Sequence, residues 1–154
     1  MRGMGNAKGV HLGHVNLEVS DLERSAKFYD AFLSTLGFRR IPHTTNLWVG
    51  YRKGRTRIWL TEEKPRRAVR KPPQIPTKTG ADWISDHLGF AVPNVRALAG
   101  LEKELLKKGF KPFYGLDRQR IDGFAGAPKR SYYVSHAWCD PDNNVLELYT
   151  NVNG

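Results

Sequence analysis

The chain has 154 residues, enough for one domain with its own core, and its 40% apolar and 26% charged residues form a globular mix rather than a disordered one. Lys+Arg 25 against Asp+Glu 15 leaves net +10, yet no recognition helix, zinc finger or base-stacking platform accompanies the excess, so no nucleic-acid partner is expected. The single Cys139 rules out an intrachain disulfide, no apolar run reaches the ~20 residues of a membrane span, and residues 1–9 lack a signal-peptide core; a cytoplasmic protein with a flexible N-terminus is expected.

The first element begins at His14. In His14-Val15-Asn16-Leu17-Glu18-Val19 polar and apolar residues alternate strictly, so one face is His14, Asn16 and Glu18 and the other is Val15, Leu17 and Val19. That is a strand with its apolar face against a helix. Ser20-Asp21-Leu22-Glu23 has the capping-box spacing and opens the helix; Leu22, Ala26, Tyr29, Leu33 and Leu36 form its buried stripe, and Gly37 stops it. Strands follow at 46–52 and 57–61, around a Lys53-Gly54 turn. Residues 63–82 are basic and Pro-rich and read as a linker between two halves.

The second half repeats the first. His87-Leu88-Gly89-Phe90-Ala91-Val92 alternates like the opening strand, 73 residues later. Asn94 caps a helix with the stripe Leu98, Leu101, Leu105 and Leu106, and Gly109 stops it, 72 residues after Gly37. Strands at 132–138 and 145–149 flank the turn Asp140-Pro141-Asp142-Asn143-Asn144. Segment 111–131 reads as a long irregular loop, of the kind that often serves as a lid. Each half is then strand-helix-strand-strand-strand: residues 10–150 as one α+β domain, with a first module over about 10–62 and a second over about 83–150.

The repeat has a chemical consequence. His14 and His87 occupy equivalent positions, so pairing the halves brings two imidazoles together. Glu147, between Leu146 and Leu148, is a carboxylate in an otherwise apolar strand and needs a partner. Two imidazoles and one carboxylate suit a divalent metal with open coordination positions: Zn, Mn, Ni, Co or Fe(II). Arg57 and Arg118 are candidates for gripping an anionic substrate group. His136 reads as a packed strand residue and Cys139 as a small buried one.

Three motifs in this order resemble the vicinal oxygen chelate superfamily, which includes glyoxalases, bleomycin resistance proteins and extradiol dioxygenases. The run from His14 to Tyr29 resembles its first-module signature, His87 to Val92 the start of its second module, and Asp140-Pro141-Asp142-Asn143-Asn144-Val145-Leu146-Glu147-Leu148 its terminal hairpin, with Asn143 where Gly is usual. The resemblance implies paired βαβββ modules forming an open, cup-shaped sheet. It also implies metal ligands at His14, His87 and Glu147, a small oxygen-chelating substrate and a homodimer. Trp59 and Tyr133 are then the aromatic candidates for the cup wall. Trp59 stands where glyoxalase I enzymes carry a fourth ligand, a Glu, with Glu62 nearby but off the strand; Ala137 stands where extradiol dioxygenases carry a Tyr. The reaction classes left are lyase, thiol transferase and ring-cleaving dioxygenase. The alternative is a non-catalytic protein of the same fold that sequesters a small molecule or drug.

Overall fold

In a computed structural model, which describes residues 11–42, 47–62, 71–72, 87–120 and 129–153, the two alternating stretches become matching strands. In β1 (His14–Val19) the residues His14, Asn16 and Glu18 are exposed, Val15 and Leu17 half-buried, and Val19 buried. In β5 (His87–Ala91) exposure alternates in the same phase, with His87, Gly89 and Ala91 outward. Nearly all of the 63–82 linker, and residues 1–10, lie outside the described residues.

The helices follow the capping chemistry with one correction. Helix α1 (Leu22–Thr35) is capped by Asp21, whose carboxylate accepts from the Arg24 amide at 3.0 Å, rather than by Ser20. Asp and Ser are both good caps; the choice falls on Asp21 because the Ser20 hydroxyl is taken by Asp142 across the molecule. Asn94 caps α2 (Val95–Lys107) as expected, accepting from the Ala97 amide at 2.9 Å. Gly37 and Gly109 end the two helices in the left-handed region, at φ 81° and 86°. The stripe of α1 is buried throughout. On α2, Leu98 and Leu105 are buried and Leu101 is partly so, but Leu106 is 45% exposed. One residue past Leu105 the helix has turned about 100°, which carries Leu106 off the inward face.

The remaining strands are β2 (Arg39–Arg40), β3 (Trp48–Lys53), β4 (Thr56–Glu62), β6 (Tyr114–Arg120), β7 (Ser131–Cys139) and β8 (Val145–Asn153). Segment 111–131 is therefore not a continuous loop: β6 occupies Tyr114–Arg120. Its Gly115 and polar residues give no alternation to read. Pairing with β7 forms it, with a register shift between Leu116 and Gln119. Gly115 lies against the His136 ring, where an added Cβ would sit 3.3 Å from the imidazole.

Two four-stranded sheets result, ordered β1-β4-β3-β2 and β5-β8-β7-β6, with β1–β4 and β5–β8 parallel. One hydrophobic core joins the halves. Phe28 and Phe32 of α1 meet Phe110, and Phe32 packs edge-on to Trp138 at 5.8 Å. Each fully buried side chain of this size contributes roughly 1.5–3 kcal/mol.

Polar contacts reinforce the junction. The Tyr29 hydroxyl donates to Asp140 at 2.9 Å. The Asp142 carboxylate accepts from the Ser20 amide at 3.1 Å, the Ser20 hydroxyl, the Ser25 hydroxyl at 3.2 Å and Arg24 at 3.1 Å. The Lys108 ammonium, just past α2, donates to the last turn of α1 through Ala31 O and Thr35 Oγ1. Asp140 also accepts from the Asp142 and Asn144 amides, both at 2.8 Å, folding the turn on itself. Burial raises the Asp140 carboxyl above the usual range, although those hydrogen bonds and the one from Tyr29 pull it back. Asn143 takes φ 61°, the left-handed conformation that Gly usually supplies and Asn tolerates. The Asp140–Asn144 turn thus clamps the hairpin carrying Glu147 to the β1–α1 junction of the other half.

Candidate active site

Residues directly opposite one another in paired strands share a face, so the register maps the open side of each sheet. In the second half Gly89 of β5 faces Glu147 of β8, which faces Ala137 of β7. In the first half Asn16 of β1 faces Trp59 of β4, which faces Gly50 of β3. Trp59 is therefore the positional counterpart of Glu147. Where the resemblance implies a fourth ligand, the first half holds an indole.

Glu147 is 9% exposed and has two partners. His87 Nε2 lies 3.1 Å from Glu147 Oε2, and the Tyr133 hydroxyl donates to the same oxygen at 2.8 Å. Tyr133 stacks on Tyr149 at 5.2 Å with planes 22° apart, which fixes its ring. Burial first, then the hydrogen bond to the carboxylate, push the Tyr133 phenol far above its ordinary value. It stays protonated and remains a donor at any physiological pH. Gly89 leaves the room these groups need: a Cβ there would meet the Tyr149 ring at 3.2 Å and Glu147 Oε2 at 3.5 Å.

The first half presents a different surface. Trp48 and Trp59 pack edge-to-face at 5.0 Å and, with Asn16 and Thr61, line an open pocket of about 230 Å³. Thr61 donates to Asn16 Oδ1 at 2.7 Å, which ties the pocket's polar rim to β1. The indole of Trp59 lies across β3, and only glycine fits beneath it, since a Cβ on Gly50 would sit 2.0 Å from the Trp59 ring. A second cleft, of about 320 Å³, runs between the halves, with Val15 to Glu18 on one wall and His87, Leu88 and Asn144 to Leu146 on the other.

The sequence-predicted residues separate accordingly. His87, Glu147 and Tyr133 converge. His14 is exposed on β1 opposite Arg57, and among the described residues no group of three or more His, Cys, Asp or Glu side chains gathers at one point. Trp59 lines the first-half pocket. Arg57 is exposed on the open face. Arg118 falls on β6, but its side chain lies outside the described residues. Ala137 faces Glu147 and is fully buried, and the hydroxyl that reaches Glu147 comes instead from Tyr133, four residues earlier. Glu62 is the last residue of β4 rather than off the strand, and its carboxylate accepts from the Leu22 amide at 3.2 Å, at the start of α1. His136 is on the helix-facing side: its Nδ1 is 3.0 Å from Glu102 Oε2, a close contact without hydrogen-bond alignment. Cys139 is half-buried, and burial lifts its thiol to about 11. It therefore stays a thiol at neutral pH. Gly50, which seats Trp59, carried no signal in the sequence beyond being a glycine in a strand.

A family profile for the Glyoxalase/Bleomycin resistance protein/Dioxygenase superfamily matches residues 11–148. The chain belongs to this superfamily. Several solved structures share its fold at low identity. One is a glyoxalase/bleomycin resistance protein/dioxygenase from Alicyclobacillus acidocaldarius, with TM-score 0.63 and 17% identity over 93% of this chain and 92% of that one. A virulence protein from Salmonella typhimurium gives TM-score 0.60 and 23% identity over 93% and 98% of the two chains. Lactoylglutathione lyase from Agrobacterium tumefaciens gives 0.59 and 15% identity over 94% and 95%. No curated protein sequence matches the chain. The two sheets of this superfamily member, each with an open face, are the α+β cup that the motifs imply.

Proposed function

We propose that this superfamily member is a divalent-metal-dependent enzyme acting on a small oxygen-bearing substrate, with its reaction centre at Glu147. The observation carrying the reading is the approach of His87 Nε2 to Glu147 Oε2, 3.1 Å, at a buried carboxylate on an otherwise open face. An imidazole and a carboxylate oxygen meeting this way are two suitable donors for one divalent ion. His14 is the third donor in this reading, brought from the edge of the other half or from a second copy of the chain in a homodimer. When bound, the ion supplies Lewis-acid polarisation of a substrate oxygen.

The chain's own groups do the rest. Tyr133 holds the Glu147 carboxylate in one orientation, as an outer partner of a metal ligand does. Trp48 and Trp59 supply an apolar wall that orients the substrate body and excludes water. Of the reaction classes open to the superfamily, thiol-transferase chemistry fits this site best, because Trp59 replaces the fourth-ligand Glu of glyoxalase I enzymes and Ala137 the Tyr of extradiol dioxygenases. Elemental analysis after metal supplementation tests the reading. About one divalent ion per chain, lost in His87→Ala and Glu147→Gln, is expected; a chain that binds none overturns it.

A second reading rests on the tryptophan pocket. A non-catalytic sequestering protein needs an apolar slot and no metal, and Trp48 and Trp59 form such a slot. Ligand binding that survives a chelator unchanged, with no turnover in the metal-loaded protein, would select it.

A further inference from the structure

The register of the first sheet places four basic side chains in one row. His14 of β1 faces Arg57 of β4, Arg57 faces Arg52 of β3, and Arg52 faces Arg39 of β2. All four are exposed, and the row lies on the open face. The row of alternate phase holds Val15, Ile58, Tyr51 and Arg40, with Ile58 and Tyr51 buried against the helix. Among the described residues, Arg39, Arg52 and Arg57 have no carboxylate partner, whereas Arg40 on the helix side pairs with Asp30 at 2.9 Å.

Like charges directly opposite one another in a sheet destabilise it. Two successive Arg–Arg pairs are a cost to folding that no carboxylate among the described residues offsets. Guanidinium groups offer forked donors that match carboxylate and phosphate oxygens. The tryptophan pocket begins in the next row of the same face, since Trp59 is two residues along β4 from Arg57. Two residues of strand advance about 7 Å and adjacent strands lie about 4.8 Å apart. The corresponding row of the second half, His87, Val145 and Cys139, contains no such charge.

We propose that Arg57, Arg52 and Arg39 form an anion-binding strip, and that the ligand is a small molecule with an aromatic or branched apolar body and a carboxylate or phosphate within about 8 Å of its centre. The body sits against the touching Trp48 and Trp59 rings, in the pocket they line with Asn16 and Thr61, and the anion sits on the strip. This names the substrate class for the site proposed above and rests on that reading for its connection to catalysis. The binding itself does not depend on the metal.

The test uses the full chain and three probes: phenyl phosphate, inorganic phosphate and benzyl alcohol. Binding is followed by tryptophan fluorescence and calorimetry, with EDTA and again with added metal. Phenyl phosphate is expected to bind at least about tenfold more tightly than either fragment, with affinity falling as salt rises. The Arg52→Gln/Arg57→Gln double variant should lose that advantage and keep its benzyl alcohol affinity. Arg40→Gln should bind like the parent. Equal affinity for phenyl phosphate and benzyl alcohol, or a double variant that binds phenyl phosphate as the parent does, overturns the strip. The metal and the strip fail separately. A chain without metal that keeps the phenyl phosphate preference defeats only the metal reading, and a metal-loaded chain without the preference defeats only the strip.

Discussion

Replacing Asp142 by alanine removes the acceptor at the centre of the clamp between the halves. Four donors lose it: the Ser20 amide, the Ser20 and Ser25 hydroxyls and the Arg24 guanidinium. They do not count equally. Arg24 is 46% exposed, so water replaces its partner and screens the pair, and its share is small. The Ser20 hydroxyl oxygen already accepts from Arg24, and its proton can turn to solvent. The Ser25 hydroxyl is fully buried and cannot be rehydrated in place. Hydrogen bonds to a charged acceptor contribute about 1.5–3 kcal/mol each, and a stranded buried donor costs about 1–3 kcal/mol. With the Ser25 hydroxyl and the Ser20 amide dominating, Asp142→Ala is expected to lose about 3–5 kcal/mol. For a chain of this size that is a fall of roughly 10 °C in Tm, read by circular dichroism and urea titration. Asp142→Asn keeps an acceptor oxygen and should lose about half as much. Ser25→Ala combined with Asp142→Ala should show a coupling of at least ~1 kcal/mol, because each change strands the other's partner. A loss under ~1 kcal/mol for Asp142→Ala, or additive behaviour in that cycle, refutes the clamp as a stabilising contact.

Other measurements address the site. Tyr133→Phe removes the hydrogen bond that fixes Glu147 and should weaken divalent-metal affinity by about tenfold or more; unchanged affinity in a competition titration would remove Tyr133 from the site. Asp140 is a carboxyl whose folded pKa is raised by burial, so its contribution to stability is fully present below its unfolded value and is lost as pH rises through the folded one. Asp140→Asn should therefore compare best with the parent near pH 7 and lose that advantage on acidification towards about pH 4; a pH-independent difference contradicts the assignment. Gly50→Ala places a Cβ inside the Trp59 ring. It should drive the indole off β3, red-shifting tryptophan emission and costing about 1–3 kcal/mol, and an unaltered spectrum would mean that the slot is not as tight as it looks.

Much of this architecture is legible in the residues because it is carried by local periodicity. The strict alternation after His14 and His87, the two helix stripes and their glycine stops each involve neighbours within one element. The equivalence of Trp59 and Glu147 does not follow from the repeat offset, since 147−59 = 88 against 87−14 = 73; it is what the family resemblance implies, and the register bears it out. What sequence reading misses is set by partners far along the chain. Ser20 looks like a cap until Asp142, 122 residues away, claims its hydroxyl and leaves Asp21 to cap α1. Strand β6 has no pattern of its own and exists because β7 pairs with it. The role of Tyr133 beside Glu147 depends on a stack with Tyr149 that crosses strands. The basic row is also hidden, since its four members are spread over four strands and only the register aligns them.

The exchange of glutamate for tryptophan between equivalent positions has a stereochemical consequence. A frame built from two copies of one unit presents a ligand with two related ways of lying in it, and matching copies would make them equal in energy. An equal pair of poses halves the time a reactive bond spends beside the catalytic groups and can deliver the wrong face of a prochiral centre. Here one copy offers a carboxylate, an imidazole and a phenol, the other an indole slot and a row of guanidinium groups. A difference of about 1.4 kcal/mol between the two poses already gives a tenfold bias. Divergence of the two copies has turned a duplicated frame into one with a head and a tail, in which a ligand has one preferred way of lying.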